Sequence, residues 1–189
     1  LLTPDHYVVK TLVTTEMIRR IGEAYNVKTS GDLQVGFKWI GMTIDEFGPE
    51  RFVLGCEESH GYLIGAHARD KDAAVAAMLL AELAAQVKAA GQTLHQKLDP
   101  LYWQYGYHAE GQLSLTMPGS QGMKDMHTIM ARFRATPPGR LAGLAVTRVR
   151  DYLSAPETKP GHAPQPFAGP AGDMVILDLD VQGNYVAVR

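Results

Sequence analysis

Cysteine is nearly absent from this chain: one residue, Cys56, in 189. A single thiol excludes an internal disulfide framework and is compatible with a reducing compartment, so a cytoplasmic protein is expected. An excess of one charge is also missing. Eighteen Lys and Arg stand against twenty Asp and Glu, a net charge of −2 with the signs interspersed. That balance offers no electrostatic case for nucleic acid or an anionic membrane surface. No apolar run approaches the roughly 20 residues that span a bilayer. The most apolar stretch, 73–90, is broken by Glu82, Gln86 and Lys88. Leu1-Leu2-Thr3-Pro4-Asp5 lacks the basic start and apolar centre of a signal peptide. The chain also opens without methionine, and it reads as a piece of a longer protein. No internal repeat is visible.

What is present is a globular composition, 46% hydrophobic, at a length that fits one large domain or two small ones. His6–Val13 has the β-branched enrichment of a strand. Thr14-Thr15-Glu16 supplies capping chemistry for a helix over Met17–Tyr25. Val27–Val35 suggests a strand around a polar turn at Ser30-Gly31-Asp32, and Thr43–Phe47 a small helix. Arg51–Cys56 has the continuous apolar character of a buried strand. Asp70 or Asp72 can cap a helix running to Ala90 and stopping at Gly91, and Thr93 can cap Leu94–Tyr105. The Ala-rich face of 73–90 is expected to be core.

Alternating β and α units of this size predict a three-layer α/β/α domain with a mainly parallel sheet, over residues 1–106. From 107 onward the texture changes. Leu113–Met117 alternates like a strand, Gly122–Ala135 is helical, and Leu144–Val149 is a strand. Val175–Leu179 and Tyr185–Val188 form a hairpin, and Ser154–Gly172 is a Pro- and Gly-rich flexible loop. This order predicts a small α+β domain over 107–189. Met117, Met123, Met126 and Met130 are assigned to packing.

The most chemistry-bearing run is Gly36 to Asp72. It holds Gly-Phe-Lys-Trp-Ile-Gly (36–41), Gly-Cys-Glu-Glu-Ser-His-Gly-Tyr (55–62) and Arg-Asp-Lys-Asp (69–72). Glycines let a backbone turn sharply or approach a ligand. Carboxylates and hydroxyls between them can hold a polyol, while the cations suit a phosphate. Glu57-Glu58-Ser59-His60 follows a strand, and ligands bind outside the carboxyl ends of strands in open α/β sheets.

A plainer account of each element stays open on composition alone. The Glu57–His60 stretch can be a solvated turn, and Lys38 a surface lysine lying over aromatic rings. Arg69 and Lys71 can be solvated charges, although cations at a helix N-terminus oppose its dipole unless an anion is bound. A metal site at Cys56, Glu57, His60 and His67 has poor ligand spacing. Cys56 beside two glutamates is disfavoured as a nucleophile.

In this order and spacing, Gly36–Gly41, Gly55–Gly61 and Arg69–Asp72 resemble the third domain of the α-D-phosphohexomutases, the phosphoglucomutase/phosphomannomutase family. Asn184-Tyr-Val-Ala-Val-Arg189 resembles the strand of that family's fourth domain that runs into a phosphate loop. The resemblance implies reversible phosphate transfer between O1 and O6 of a hexose phosphate, through a phosphoserine in the first domain. It implies Mg2+ held by aspartates of the second domain, and a hexose 1,6-bisphosphate activator. Glu57 and Ser59 match residues that hold sugar hydroxyls. Gly36 and Lys38 belong to a loop against the sugar, and His60 and Arg69 flank the substrate. Lys71 matches a lysine near the reacting oxygen, and Arg189 the first residue of the phosphate loop.

No Thr-Ala-Ser-His-Asn-Pro-like loop and no Asp-x-Asp-x-Asp motif occurs in these 189 residues. The implied partners are therefore a hexose phosphate and the family's first two domains, and the piece alone is expected to be inactive. The alternative from another class is a non-catalytic module that binds sugar phosphates or other proteins.

Overall fold

Tyr7–Thr11 (β1) is apolar and β-branched in sequence and buried along its whole length, which makes it the centre of the first sheet. A computed structural model describes residues 2–153, 156–159, 161, 163, 165–166 and 171–189. They form two compact units, 1–111 and 112–189.

In the first unit, β1 is followed by helix Met17–Ala24 (α1), strand Lys28–Leu33 (β2) and helix Phe37–Phe47 (α2). Strands Phe52–Glu57 (β3) and Gly61–Ile64 (β4) come next, then helices Ala73–Ala89 (α3) and Leu94–Tyr105 (α4). The sheet order is β2-β1-β3-β4. β1 runs parallel to β2 and β3, whereas β4 returns antiparallel to β3. The core joins Tyr7, Val9, Phe52 and Leu63 of the sheet to Phe37, Ile40 and Ile44 of α2. Close seating of α2 requires Gly55, because a Cβ there would lie 2.7 Å from Ile40 Cγ2. The Tyr7 hydroxyl donates to the Gly48 carbonyl at 2.9 Å, fixing the end of α2 over the start of β1.

Several expectations need correction. Gly36–Gly41 is not a loop: α2 begins at Phe37, with Gly36 as its N-cap at φ +123°. Ser30-Gly31-Asp32 is part of β2 rather than a turn. The edge strand β4 escaped notice because its four residues carry only a short alternation. The Ala-rich α3 is mostly exposed. Val87 is its buried residue, while Met78 and Leu80 face outward. Alanines on every side gave it apolar composition without a stripe to direct packing.

The capping chemistry of α3 is as read, whereas at α1 the N-cap residue Glu16 makes no side-chain cap hydrogen bond. Asp72 accepts from the Ala74 and Val75 amides. Gly91 at φ +72° closes α3 with Gly91 N–H to Lys88 O and Gln92 N–H to Val87 O, the paired bonds of a Schellman ending. Among the described residues no single helix is long and apolar enough to cross a membrane.

The second unit contains helix Gly119–Ala135 (α5) and strands Arg140–Leu141 (β5), Leu144–Asp151 (β6), Pro156–Thr158 (β7), Gln165–Pro166 (β8), Val175–Leu179 (β9) and Tyr185–Val188 (β10). Its sheet has the order β10-β9-β6-β7-β8, with β5 also on β6, and every pairing is antiparallel. Met130 of α5 packs on Val146, Val175 and Leu177. Met123 and Met126 are exposed and not packing residues. Leu113–Met117 forms no strand. Within the expected 154–172 loop, β7 and β8 are strands; its residues 154, 155, 160, 162, 164 and 167–170 lie outside the described residues. A mostly parallel α/β sheet followed by a small antiparallel α+β unit is the expected fold class.

Candidate functional site

Parallel neighbours end on the same side of a sheet, so the register that sets Lys10 opposite Cys56 brings the carboxyl ends of β1 and β3 together. Glu57 is the last residue of β3 and pairs across the hairpin with Gly61. The tip between them is Glu58-Ser59-His60. His60 takes a left-handed conformation, φ +62°, an uncommon one for a residue with a side chain. Ser59 and His60 are exposed there.

Glu57 points inward, with its side chain 1% exposed. Oε1 receives the Lys71 ammonium at 2.6 Å. Oε2 is buried, and no described protein group donates to it. A buried polar group without a partner costs about 1–3 kcal/mol, and more when charged. This oxygen therefore retains the capacity to accept a hydrogen bond. The Lys71 pKa is raised, chiefly by its hydrogen bond to Glu57.

A second layer lies behind this pair. Glu58 Oε2 accepts from Thr11 Oγ1 at 2.9 Å, and Thr11 and Thr14 share a hydroxyl contact of 2.8 Å. Lys10, fully buried, places Nζ 2.6 Å from Glu16 Oε1 and donates to the Thr14 and Thr11 carbonyls. Arg19 Nε donates to the other Glu16 oxygen at 2.9 Å. Burial pushes the Glu16 pKa up, but Lys10 and Arg19 more than reverse this and hold it low. Gly31 makes room for both cations, since a Cβ there would meet Arg19 Nη2 at 2.5 Å and Lys10 Cε at 3.0 Å. Lys10, Thr11, Thr14 and Glu16 were not among the sequence candidates. The available signal was a lysine interrupting the apolar run Tyr-Val-Val-Lys-Thr-Leu-Val.

The remaining candidates are dispersed. Arg69 Nε binds Asp45 at 2.6 Å and its Nη1 donates to the Ala66 and Ala68 carbonyls, so it fastens its own loop to α2. Lys38 Nζ lies 5.2 Å from the Trp39 ring centroid in the first turn of α2. Arg69 and Lys71 each have an internal anion, so their place before α3 needs no external one. Arg189 is exposed and follows β10 in the second unit.

Burial pushes the Cys56 thiol up to about 11, with Lys10 opposing, which removes it as a nucleophile at neutral pH. His67 Nε2 is 2.9 Å from Asp72 Oδ2. Among the described residues no group of three or more His, Cys, Asp or Glu could hold a metal ion. The described residues therefore do not fit magnesium.

Comparison with known proteins gives this arrangement a class. Residues 1–105 match the model of phosphoglucomutase/phosphomannomutase alpha/beta/alpha domain III. The chain belongs to the phosphoglucomutase/phosphomannomutase family. It is 32% identical over 149 residues to a phosphoglucomutase of Staphylococcus aureus strain N315, covering 78% of this chain and 27% of that protein. To the phosphoglucomutase of strain USA300 it is 31% identical over the same length. The chain thus spans about a quarter of the length of the curated relatives it matches. The exocytosis-sensitive phosphoprotein pp63/parafusin (phosphoglucomutase) from Paramecium, in its open form, shares the fold over 96% of this chain and 30% of its own, at TM-score 0.54 and 17% identity.

Proposed function

We propose that this chain is the sugar-recognition part of an enzyme that reversibly transfers phosphate between O1 and O6 of a hexose phosphate. The observation that carries this reading is the Glu57 carboxylate, buried at the end of β3 with one oxygen on Lys71 and the other without a donor among the described residues, in a chain of this family. Oε2 accepts a hydrogen bond from a sugar hydroxyl, and Ser59, exposed at the hairpin tip, supplies a second polar contact. Lys71 presents a cation to the phosphate or the oxygen that carries it. Hydroxyl contacts of this kind suit a sugar that must reorient between two transfers.

In this reading residues 1–106 are the family's third domain and 107–189 most of its fourth, with Arg189 opening the phosphate loop. Gly36, Lys38, His60 and Arg69 shape the rim. Of these, Arg69 acts by holding its loop to Asp45 rather than by reaching the ligand. The phosphoserine, the metal and its ligands, and the response to a hexose 1,6-bisphosphate activator belong to residues outside these 189. Phosphoryl transfer rests on such charges around the phosphate.

The test is NMR titration of the chain with glucose 1-phosphate. The wild type is expected to show shifts at residues 57–61 and 71, and Glu57→Ala to lose them. Shifts of equal size in the variant overturn the role of Glu57.

A further inference from the structure

Gly61 has no backbone reason to be glycine. It lies in β4, outside the left-handed region, where an alanine is sterically free to adopt the same backbone. The nearest atoms that a side chain at this position would meet all belong to one residue. A Cβ there would lie 2.7 Å from Glu57 Cγ, 2.7 Å from Oε1 and 3.0 Å from Cδ, the three nearest heavy atoms. The Glu57 carboxylate therefore occupies the volume that any other residue at 61 would fill.

The cost of filling it falls unequally. Glu57 is an unbranched side chain with several rotatable bonds, and its partner Lys71 is half exposed. The hairpin backbone is fixed by the β3–β4 register from Leu54↔Ile64 to Glu57↔Gly61. A methyl group at 61 is thus expected to move the carboxylate and not the strands.

We infer that Gly61 is a positioning residue, whose absent side chain seats the Glu57 carboxylate against Lys71 and so fixes both groups for the ligand. The inference rests on the proposed role of Glu57 for its consequence in ligand binding. Its structural half can be tested without any ligand.

The charged groups around the Lys71 ammonium are Glu57, Asp70 and Glu58. Of these Glu57 alone is hydrogen-bonded to it. Lys71 Nζ titration, followed by NMR in the 189-residue chain, therefore reports the seat directly. Gly61→Ala is expected to lower the Lys71 midpoint toward that of Glu57→Ala and to abolish the glucose 1-phosphate shifts, while the amide spectrum of β1 and β3 stays native. A merely structural glycine would not move that titration selectively.

The double variant Glu57→Ala/Gly61→Ala supplies the control. Adding the methyl where the carboxylate is already gone is expected to leave the Lys71 titration as in Glu57→Ala. If Gly61→Ala alone does not fold but the double variant does, the clash runs through Glu57 and the inference holds. If neither folds, or if Gly61→Ala titrates like wild type, it is overturned. Absence of glucose 1-phosphate shifts in the wild type would instead sink the sugar reading and leave the Gly61 result standing.

Discussion

Cys56 sits one residue from the buried Glu57 carboxylate yet is chemically silent. It is 2% exposed, beneath the hairpin, and its thiol is raised to about 11 by burial. At pH 8 only a small fraction is thiolate, and reagents cannot reach it without local opening. Reaction with a thiol reagent such as DTNB at that pH is expected to be slow in the native chain and fast in guanidinium. Equal rates would show that β3 is open in the native state.

The same neighbourhood shows which residues sequence can expose. Glu57, Ser59 and Lys71 stood out because hydroxyls and charges between glycines are unusual. The inner network did not, because Lys10 and Glu16 acquire meaning from a parallel register linking segments far apart in the chain. The partner of Arg69 was hidden for a related reason. Its anion, Asp45, lies on α2 while Arg69 lies in the loop before α3, and no local pattern announces that pair.

At the level of elements, ends were more legible than faces. Caps are local chemistry, so Thr93 and Gly91 were placed correctly. Thr93 Oγ1 accepts from the Gln96 amide at 3.2 Å while the Gln96 side chain accepts from the Thr93 amide at 2.8 Å, a complete capping box. Losing such a cap costs about 1 kcal/mol. Because α4 has no fully buried residue to compensate, Thr93→Ala is expected to speed amide exchange in α4 about fivefold. Unchanged protection would mean that α4 is held by something other than its cap.

Faces are decided by partners. The exposure of α3 and the burial of α2 follow from what each packs against, and β4 follows from the hairpin that folds it back. The start of α2 at Phe37 was hidden because two aromatics and a lysine between glycines look like a loop, whereas Phe37 and Ile40 are anchored by the sheet.

At the scale of the whole molecule, the division of labour is the main consequence. In the proposed reading the chain contributes hydroxyl recognition and a cation, and its 189 residues contain neither a phosphoserine-loop motif nor an aspartate-rich metal motif. Assayed with glucose 1-phosphate, Mg2+ and glucose 1,6-bisphosphate, the 189-residue chain is expected to show no mutase turnover. Turnover that copurifies with the chain through repeated chromatography would relocate the phosphoryl-transfer groups into these residues. Fold class was readable at this scale because alternation of β and α units is a property of the entire sequence. The late boundary near residue 111 lies in a stretch without strands or helices, where composition carries little signal.

The hairpin that joins β3 to β4 has a further consequence for protein engineering. Its two feet, Glu57 and Gly61, are paired and fixed, while Ser59 and His60 at its tip are exposed. The tip is therefore an exchangeable cassette. If the chain binds sugar as proposed, libraries at 59 and 60 are expected to alter which epimer is favoured while the carboxylate below keeps its place, so long as the residue at 60 tolerates a left-handed turn.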